Sequence, residues 1–208
     1  MNAKKIAQRV LIPAIIAMGT LLLLLMFLPG IRPTPRPAVN TVQGSAAIGG
    51  AFALVDQKGQ TVTADNLKGK YALVYFGFTH CPDICPISLQ TITQALYIAG
   101  PFGENVNPIF ISVDPERDTP AAMADYIANF HPRFLALTGT PEQVRQASDA
   151  YRVYFKKAQE QTLGEYMMEH SGFIYFMDDK GAYVTHFGSD ATPEQIAARL
   201  RQEFGSKR

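Results

Sequence analysis

The longest apolar run in the chain is Val10 to Leu28, nineteen residues without a charge. As a helix rising about 1.5 Å per residue it spans roughly 28 Å, the hydrocarbon thickness of a bilayer. Lys4, Lys5 and Arg9 precede it and favour a cytoplasmic N-terminus over residues 1–9; Arg32 and Arg36 on the far side make the bias modest. A cleaved signal peptide is the competing reading. Its apolar region usually runs about 7–15 residues and ends in a small-x-small site, whereas here Leu28-Pro-Gly-Ile-Arg32 follows. An uncleaved transmembrane helix over 10–28 is therefore expected. Residues 29–46 follow as a linker, with Pro33, Pro35 and Pro37 stiffening its first part. Too few residues precede the run for a transit peptide, so the expected location is a bacterial inner membrane, with the remaining domain, 47–208, in the periplasm.

The pattern changes from Phe52 onwards. Phe52–Val55 and Thr61–Thr63, joined by Asp56-Gln-Lys-Gly-Gln60, read as a β-hairpin. Tyr71–Phe76 and Asn107–Val113 are unbroken apolar stretches of strand length, as central strands buried on both faces require. Between them, Pro86–Ala99 repeats apolar residues at helical spacing. Thr119-Pro120 opens a helix through Phe130, Thr140-Pro141 one to about Ala150, and Thr192-Pro193 an amphipathic C-terminal one. Each sets Thr at the N-cap and Pro at the first helical position. Phe173–Met177 and Ala182–His186 flank Asp178-Asp-Lys-Gly181 as a second hairpin. With a short strand between the second and third helices, this order predicts an α/β domain, a mixed sheet flanked by helices.

Composition narrows the function. The 208 residues are 47% hydrophobic and 18% charged, and net charge is +1 with no long basic cluster, so nucleic acid is not an expected partner. There are two cysteines, too few and too close for a disulfide scaffold.

Cys81 and Cys85 lie in Phe76-Gly-Phe-Thr-His-Cys-Pro-Asp-Ile-Cys-Pro86, between the first central strand and its helix. Ligand sites form at strand ends of such sheets, and free N–H groups at a helix start favour thiolates. The Pro- and Gly-containing lead-in suggests an exposed helix mouth. The pair suits either a disulfide or a soft metal ion; an inert buried pair is the bland alternative. Two thiolates leave a metal short of ligands. His80 adjoins Cys81, and neighbours in sequence seldom face one centre. His131 precedes Pro132 and reads as a helix C-terminal dipole partner; His186 alternates within a strand as a half-exposed residue. His170, in a loop leading to the strand at Phe173, is the best placed of the four, an ordinary loop histidine being its alternative. Two thiolates and an imidazole suit Cu(I) or Cu(II); zinc wants a fourth ligand.

Tyr75–Pro86 resembles the signature of the Sco/SenC (PrrC) family, and Ile111-Ser-Val-Asp-Pro-Glu-Arg-Asp-Thr-Pro120 resembles its second motif. Leu137-Thr-Gly-Thr140, Tyr151-Arg-Val-Tyr154 and His170-Ser171 match in the same order. The resemblance implies a thioredoxin-like fold and copper held by Cys81, Cys85 and His170. It implies delivery of copper, or of reducing equivalents, to the cytochrome c oxidase subunit carrying CuA, with an upstream periplasmic copper donor as a second partner. Glu169 stands where the family commonly has Asp, and is not expected to be a ligand. Asp114, Glu116, Arg117 and Asp118 read equally as a shell round the metal loop or as turn and capping residues. Met167 and Met168 read as packing or mobile-loop residues before soft ligands.

Two functions follow. A metallochaperone, not an enzyme, needs all three residues; a thiol–disulfide reductase needs only the cysteines. A peroxidase of related fold lacks support, because no separate peroxidatic cysteine with Thr and Arg partners is present.

Overall fold

The structure is a computed structural model, and it describes residues 17–21, 48–158 and 166–205. The expected membrane helix and linker lie outside the described residues, apart from 17–21, which are helical. Among the described residues no helix is long and apolar enough to cross a membrane. Ser45–Arg208 is a compact unit.

Strands β1 (Ala53–Asp56) and β2 (Thr61–Thr63) form the first hairpin. Its turn is tied by Asp56, whose Oδ1 accepts from the backbone N–H groups of Lys58 and Gln60. The two apolar runs become β3 (Tyr71–Gly77) and β4 (Val106–Ser112), paired in parallel from Tyr71↔Val106 to Gly77↔Ser112. All seven β3 residues are buried, so no polar face survives to show a period of two. The short strand is β5 (Leu135–Thr138), parallel to β4. The second hairpin, β8 (Ile174–Met177) with β9 (Tyr183–Phe187), joins the other edge of β3 in antiparallel sense. The seven-stranded order is β2-β1-β5-β4-β3-β8-β9, a mixed thioredoxin-like sheet with the two cysteine-flanking strands near its centre.

Helices α1 (Ile84–Ala99), α2 (Pro120–Ile127), α3 (Pro141–Ala150) and α4 (Pro193–Gly205) flank the sheet. Thr119 caps α2 by accepting from Ala122 N–H, and Thr140 with Gln143 closes a capping box on α3. Helix α1 starts at Ile84, two residues before the expected Pro86, so Cys85 sits within its first turn. Helix α2 stops at Ile127 rather than Phe130.

Sequence periodicity missed a second, two-stranded sheet. Strand β6 (Phe155–Lys157) pairs with β7 (Met168–His170), His170 lying opposite Phe155. The expected irregular loop round His170 is thus corrected to a strand. Three residues per strand, mostly exposed or half-buried, are too few to carry a readable alternation.

Candidate metal centre

Strand β3 carries the chain to the edge of the sheet, where Gly77 turns it into the cysteine loop. A Cβ on Gly77 would stand 2.8 Å from Cys85 Sγ and 3.0 Å from the rings of Phe110 and Tyr75. Only glycine lets the buried sulfur approach the strand that closely. Val113 N–H donates to Gly77 O at 2.8 Å, locking the ends of β3 and β4 together.

Asp118 fixes the loop beyond Gly77. It is fully buried, and its carboxylate accepts from Thr79 Oγ1 and Ser112 Oγ, both at 2.6 Å, and from Thr79 N–H at 3.2 Å. Thr79 lies two residues before Cys81, so this carboxylate sets the height at which Cys81 enters α1. Burial pushes the Asp118 carboxyl above its usual range, against the hydroxyl and amide donors that favour its anion. Helix capping falls to Thr119 instead. Of the two readings left open for the acidic and basic residues, Asp118 takes the shell role. Asp114 does the same: its carboxylate accepts from Arg117 Nε at 2.6 Å and from Tyr166 OH at 2.7 Å.

These contacts join the cysteine loop to the small sheet. The Arg117 guanidinium lies over the Tyr166 ring at 3.8 Å and near Phe78 at 5.8 Å. Lys157 on β6 pairs with Glu116 at 2.9 Å and also caps Tyr166. Ser171 and Tyr154 exchange two bonds, Ser171 N–H to Tyr154 O and Tyr154 N–H to Ser171 Oγ. Strand β8 begins opposite Tyr75, so the chain entering it passes the C-terminal end of β3. That topology delivers His170, eighty-five residues from Cys85 in sequence, to the sulfurs.

Cys85 Sγ stands 3.5 Å from His170 Nε2. His170 Nδ1 lies 3.1 Å from Ser171 O, a carbonyl that can only accept, so the proton resides on Nδ1 and the Nε2 lone pair faces the sulfur. The ring meets Tyr75 and Phe78 edge to face, at 6.1 and 5.9 Å. Both cysteines are free thiols. They are buried, Cys81 at 8% exposure and Cys85 at 0%, which corrects the expected exposed mouth: the loop folds its sulfurs inward against Phe78 and Tyr75.

The two thiols differ in acidity. Hydrogen bonding from Cys85, with further donors at the backbone of Asp83 and Cys85, holds Cys81 far below an ordinary thiol. Cys85 N–H lies 3.4 Å from Cys81 Sγ, one of the free donors of the first helical turn put to use. Cys85, having given its hydrogen bond to Cys81 and lying deeper, is raised. Cys81 ionises first, and Cys85 only when something replaces its proton.

Among the described residues no group of three His, Cys, Asp or Glu side chains forms a ready metal cage; the trio meets in hydrogen-bonded pairs. The donor chemistry nevertheless fits a soft ion. The 3.5 Å between Cys85 Sγ and His170 Nε2 is short enough for one ion to be held by both atoms. The thiol protons must leave for such an ion to enter.

The remaining histidines take other places. His80 is exposed, with Nδ1 3.0 Å from Thr79 Oγ1. His131 is buried, not a helix-end cation: Arg133 N–H donates to its Nδ1 at 3.2 Å, its own N–H donates to Thr93 Oγ1, and burial lowers its pKa. His186 is exposed rather than half-exposed, and its Nδ1 meets Tyr183 OH. Glu169, exposed on β7, alternates to the opposite face from His170. Met168 packs against the core, and Met167 is exposed. Sequence reasoning missed Tyr75 and the Thr79–Asp118 and Arg117–Tyr166 contacts. A Tyr in the middle of a strand expected to be buried on both faces was the one available signal, since its hydroxyl needs a partner.

A family model described as SCO1/SenC matches residues 40–205. An SCO2-like protein of Rickettsia conorii is 38% identical over 198 residues, covering 93% of this chain and 95% of that protein. The mitochondrial SCO2 homolog of Mus musculus is 43% identical over 164 residues, 77% of this chain and 64% of that one. Among solved structures, Bradyrhizobium japonicum ScoI with copper bound superposes with a TM-score of 0.69 at 48% identity, covering 75% of this chain and 99% of that chain.

Proposed function

This chain belongs to the SCO1/SenC family, and we propose that it is a copper metallochaperone holding one ion on Cys81, Cys85 and His170 and passing it to the CuA centre of cytochrome c oxidase. The observation that carries the reading is the aim of His170. Its Nδ1 proton is fixed on Ser171 O and its Nε2 lone pair faces Cys85 Sγ, the tautomer a metal ligand needs. The copper in the 48%-identical ScoI supports the choice of ion. Two thiolates and a neutral imidazole give a site of net charge −1 with Cu(I) and 0 with Cu(II), both tolerable beside the start of α1.

As cargo, copper displaces the Cys85 proton and joins the sulfur that is already ionised. Release runs in the other order: His170, on the lightly held β7, moves away first, and the acceptor's ligands enter on that side. The chain is anchored in a bacterial inner membrane by residues 10–28, with the copper domain in the periplasm, where a donor protein loads it. The test is copper content of the reduced full chain. One copper per chain is expected for the native protein and none after His170→Ala; tight stoichiometric binding by the variant would remove His170 from the site.

A second reading rests on the acidity of Cys81. A thiol–disulfide reductase uses such a thiolate to attack a partner disulfide, forming a mixed disulfide. Cys85 then attacks Cys81 Sγ, releases the partner's second thiol and leaves Cys81–Cys85 oxidised. This chemistry does not need His170. Oxidase maturation that survives His170→Ala favours it over the chaperone.

A further inference from the structure

Tyr75 lies beneath the sulfurs and has no part in the ligand set. Its side chain is fully buried, ring-stacked on Phe110 at 6.4 Å and edge-on to His170 at 6.1 Å, so the hydroxyl cannot turn away to solvent. The hydroxyl lies 3.9 Å from Cys85 Sγ, a long contact of the kind that sulfur's diffuse lone pairs accept. Burial raises the Tyr75 hydroxyl above the ordinary phenol range, and Ser88, buried three residues beyond Cys85 on the same face of α1, acts against that rise. The phenol proton is directed at Cys85. Cys81 takes its hydrogen bonds from other groups, the Cys85 side chain and the Cys85 N–H among them.

We propose that Tyr75 is a positioning residue that tunes the site through Cys85: its hydroxyl donates a fixed hydrogen bond to Cys85 Sγ and draws electron density from this sulfur. Hydrogen bonds to a ligating sulfur draw charge from it and favour the reduced metal. The redox part of this inference rests on the copper reading; the hydrogen bond itself does not.

Two measurements on the full chain separate them. In the reduced, metal-free protein, NMR is expected to show a slowly exchanging tyrosine hydroxyl proton close to the Cys85 β protons, lost in Tyr75→Phe. A Tyr75 hydroxyl that exchanges as fast as that of the exposed Tyr97 would overturn the proposal. In the copper-loaded protein, Tyr75→Phe is expected to move the sulfur-to-Cu(II) charge-transfer band to longer wavelength. It should also raise the ratio of Cu(II) to Cu(I) affinity about tenfold, which is about 59 mV for one electron. Ser88→Ala gives a smaller shift of the same sign and replaces Tyr75→Phe should that variant not fold. Tyr151→Phe, a buried tyrosine packed against Phe76 away from the sulfurs, leaves the band unmoved. An unmoved band in Tyr75→Phe with one copper bound sinks the tuning role. If the native chain binds no copper, the copper reading fails and the hydroxyl measurement alone decides the hydrogen bond.

Discussion

The two sides of the metal centre are built to different standards. The sulfur side grows out of the middle of the seven-stranded sheet, where β3 and β4 pair over seven residues and Phe76, Phe78 and Phe110 are almost fully buried. The histidine side is a pair of three-residue strands, half-buried, held by the Ser171–Tyr154 exchange and by surface contacts such as Lys157–Glu116. Opening free energies differ accordingly: core strands open only with global unfolding, short exposed ladders far more readily. A carrier must hold its cargo and also let it go. Fixing two ligands and leaving the third on a light element meets both demands.

Breaking the sulfur side has the largest expected effect. Phe110→Ala empties a fully buried ring site against Tyr75 and Tyr126 and should cost about 3–5 kcal/mol. At about 2–4 °C per kcal/mol for a domain of this size, thermal unfolding should fall by roughly 10 °C. Next comes Asp118→Ala, which leaves the Thr79 N–H and the Thr79 and Ser112 hydroxyls without their acceptor. A loss of about 2–4 kcal/mol is expected, together with weaker copper binding at unchanged thiol content. Native copper affinity in this variant would show that Thr79 does not set the height of Cys81.

Within the sulfur side, the two thiols can be told apart by pH. Cys81 has its thiolate favoured well below the ordinary thiol value, so it stays ionised as pH falls, whereas a normal thiol gains its proton. Alkylation of Cys81 in the reduced protein should therefore slow by less than about threefold from pH 8 to pH 6, against about tenfold per pH unit for an unperturbed thiol. Cys85 should react more slowly throughout. A tenfold drop per unit at Cys81 would deny its special acidity. The smallest effect is on the histidine side: Ser171→Ala removes the acceptor for Tyr154 N–H and should cost about 1 kcal/mol or less, because that group is exposed. Hydrogen exchange is expected to quicken over 154–158 and 168–171 while β3 and β4 stay protected. Faster exchange in β3 would mean that the two sides are one cooperative unit.

The central strands, both hairpins and the proline-led helices were legible because each carries a local cause: an unbroken apolar run, a Gly-containing turn, or a Thr-Pro start. The cysteine pair was legible for the same reason. His170 was harder. Its residues gave only a place in a loop, and the family resemblance made it a ligand. The strand that presents it has three residues, and its existence depends on contacts with Tyr154, Glu116 and Asp114 that no local pattern encodes. His131 went the other way: a helix-end position by sequence, it is buried because α2 stops early and the chain turns inward against Thr93 and Tyr97.

The sequence alone determined the parts whose energetics are local or periodic: the buried strands, the capped helices, the two sulfurs four residues apart, and glycine at position 77. Tertiary structure decided what each sulfur is. It buried both, gave Cys81 the low acidity threshold by setting Cys85 and helix N–H groups round it, and gave Cys85 the phenol of Tyr75 and the ring of His170. Those differences come from groups ten and eighty-five residues away. Hydrogen bonding and desolvation act through space over a few ångströms, and only the folded chain fixes which groups those few ångströms contain.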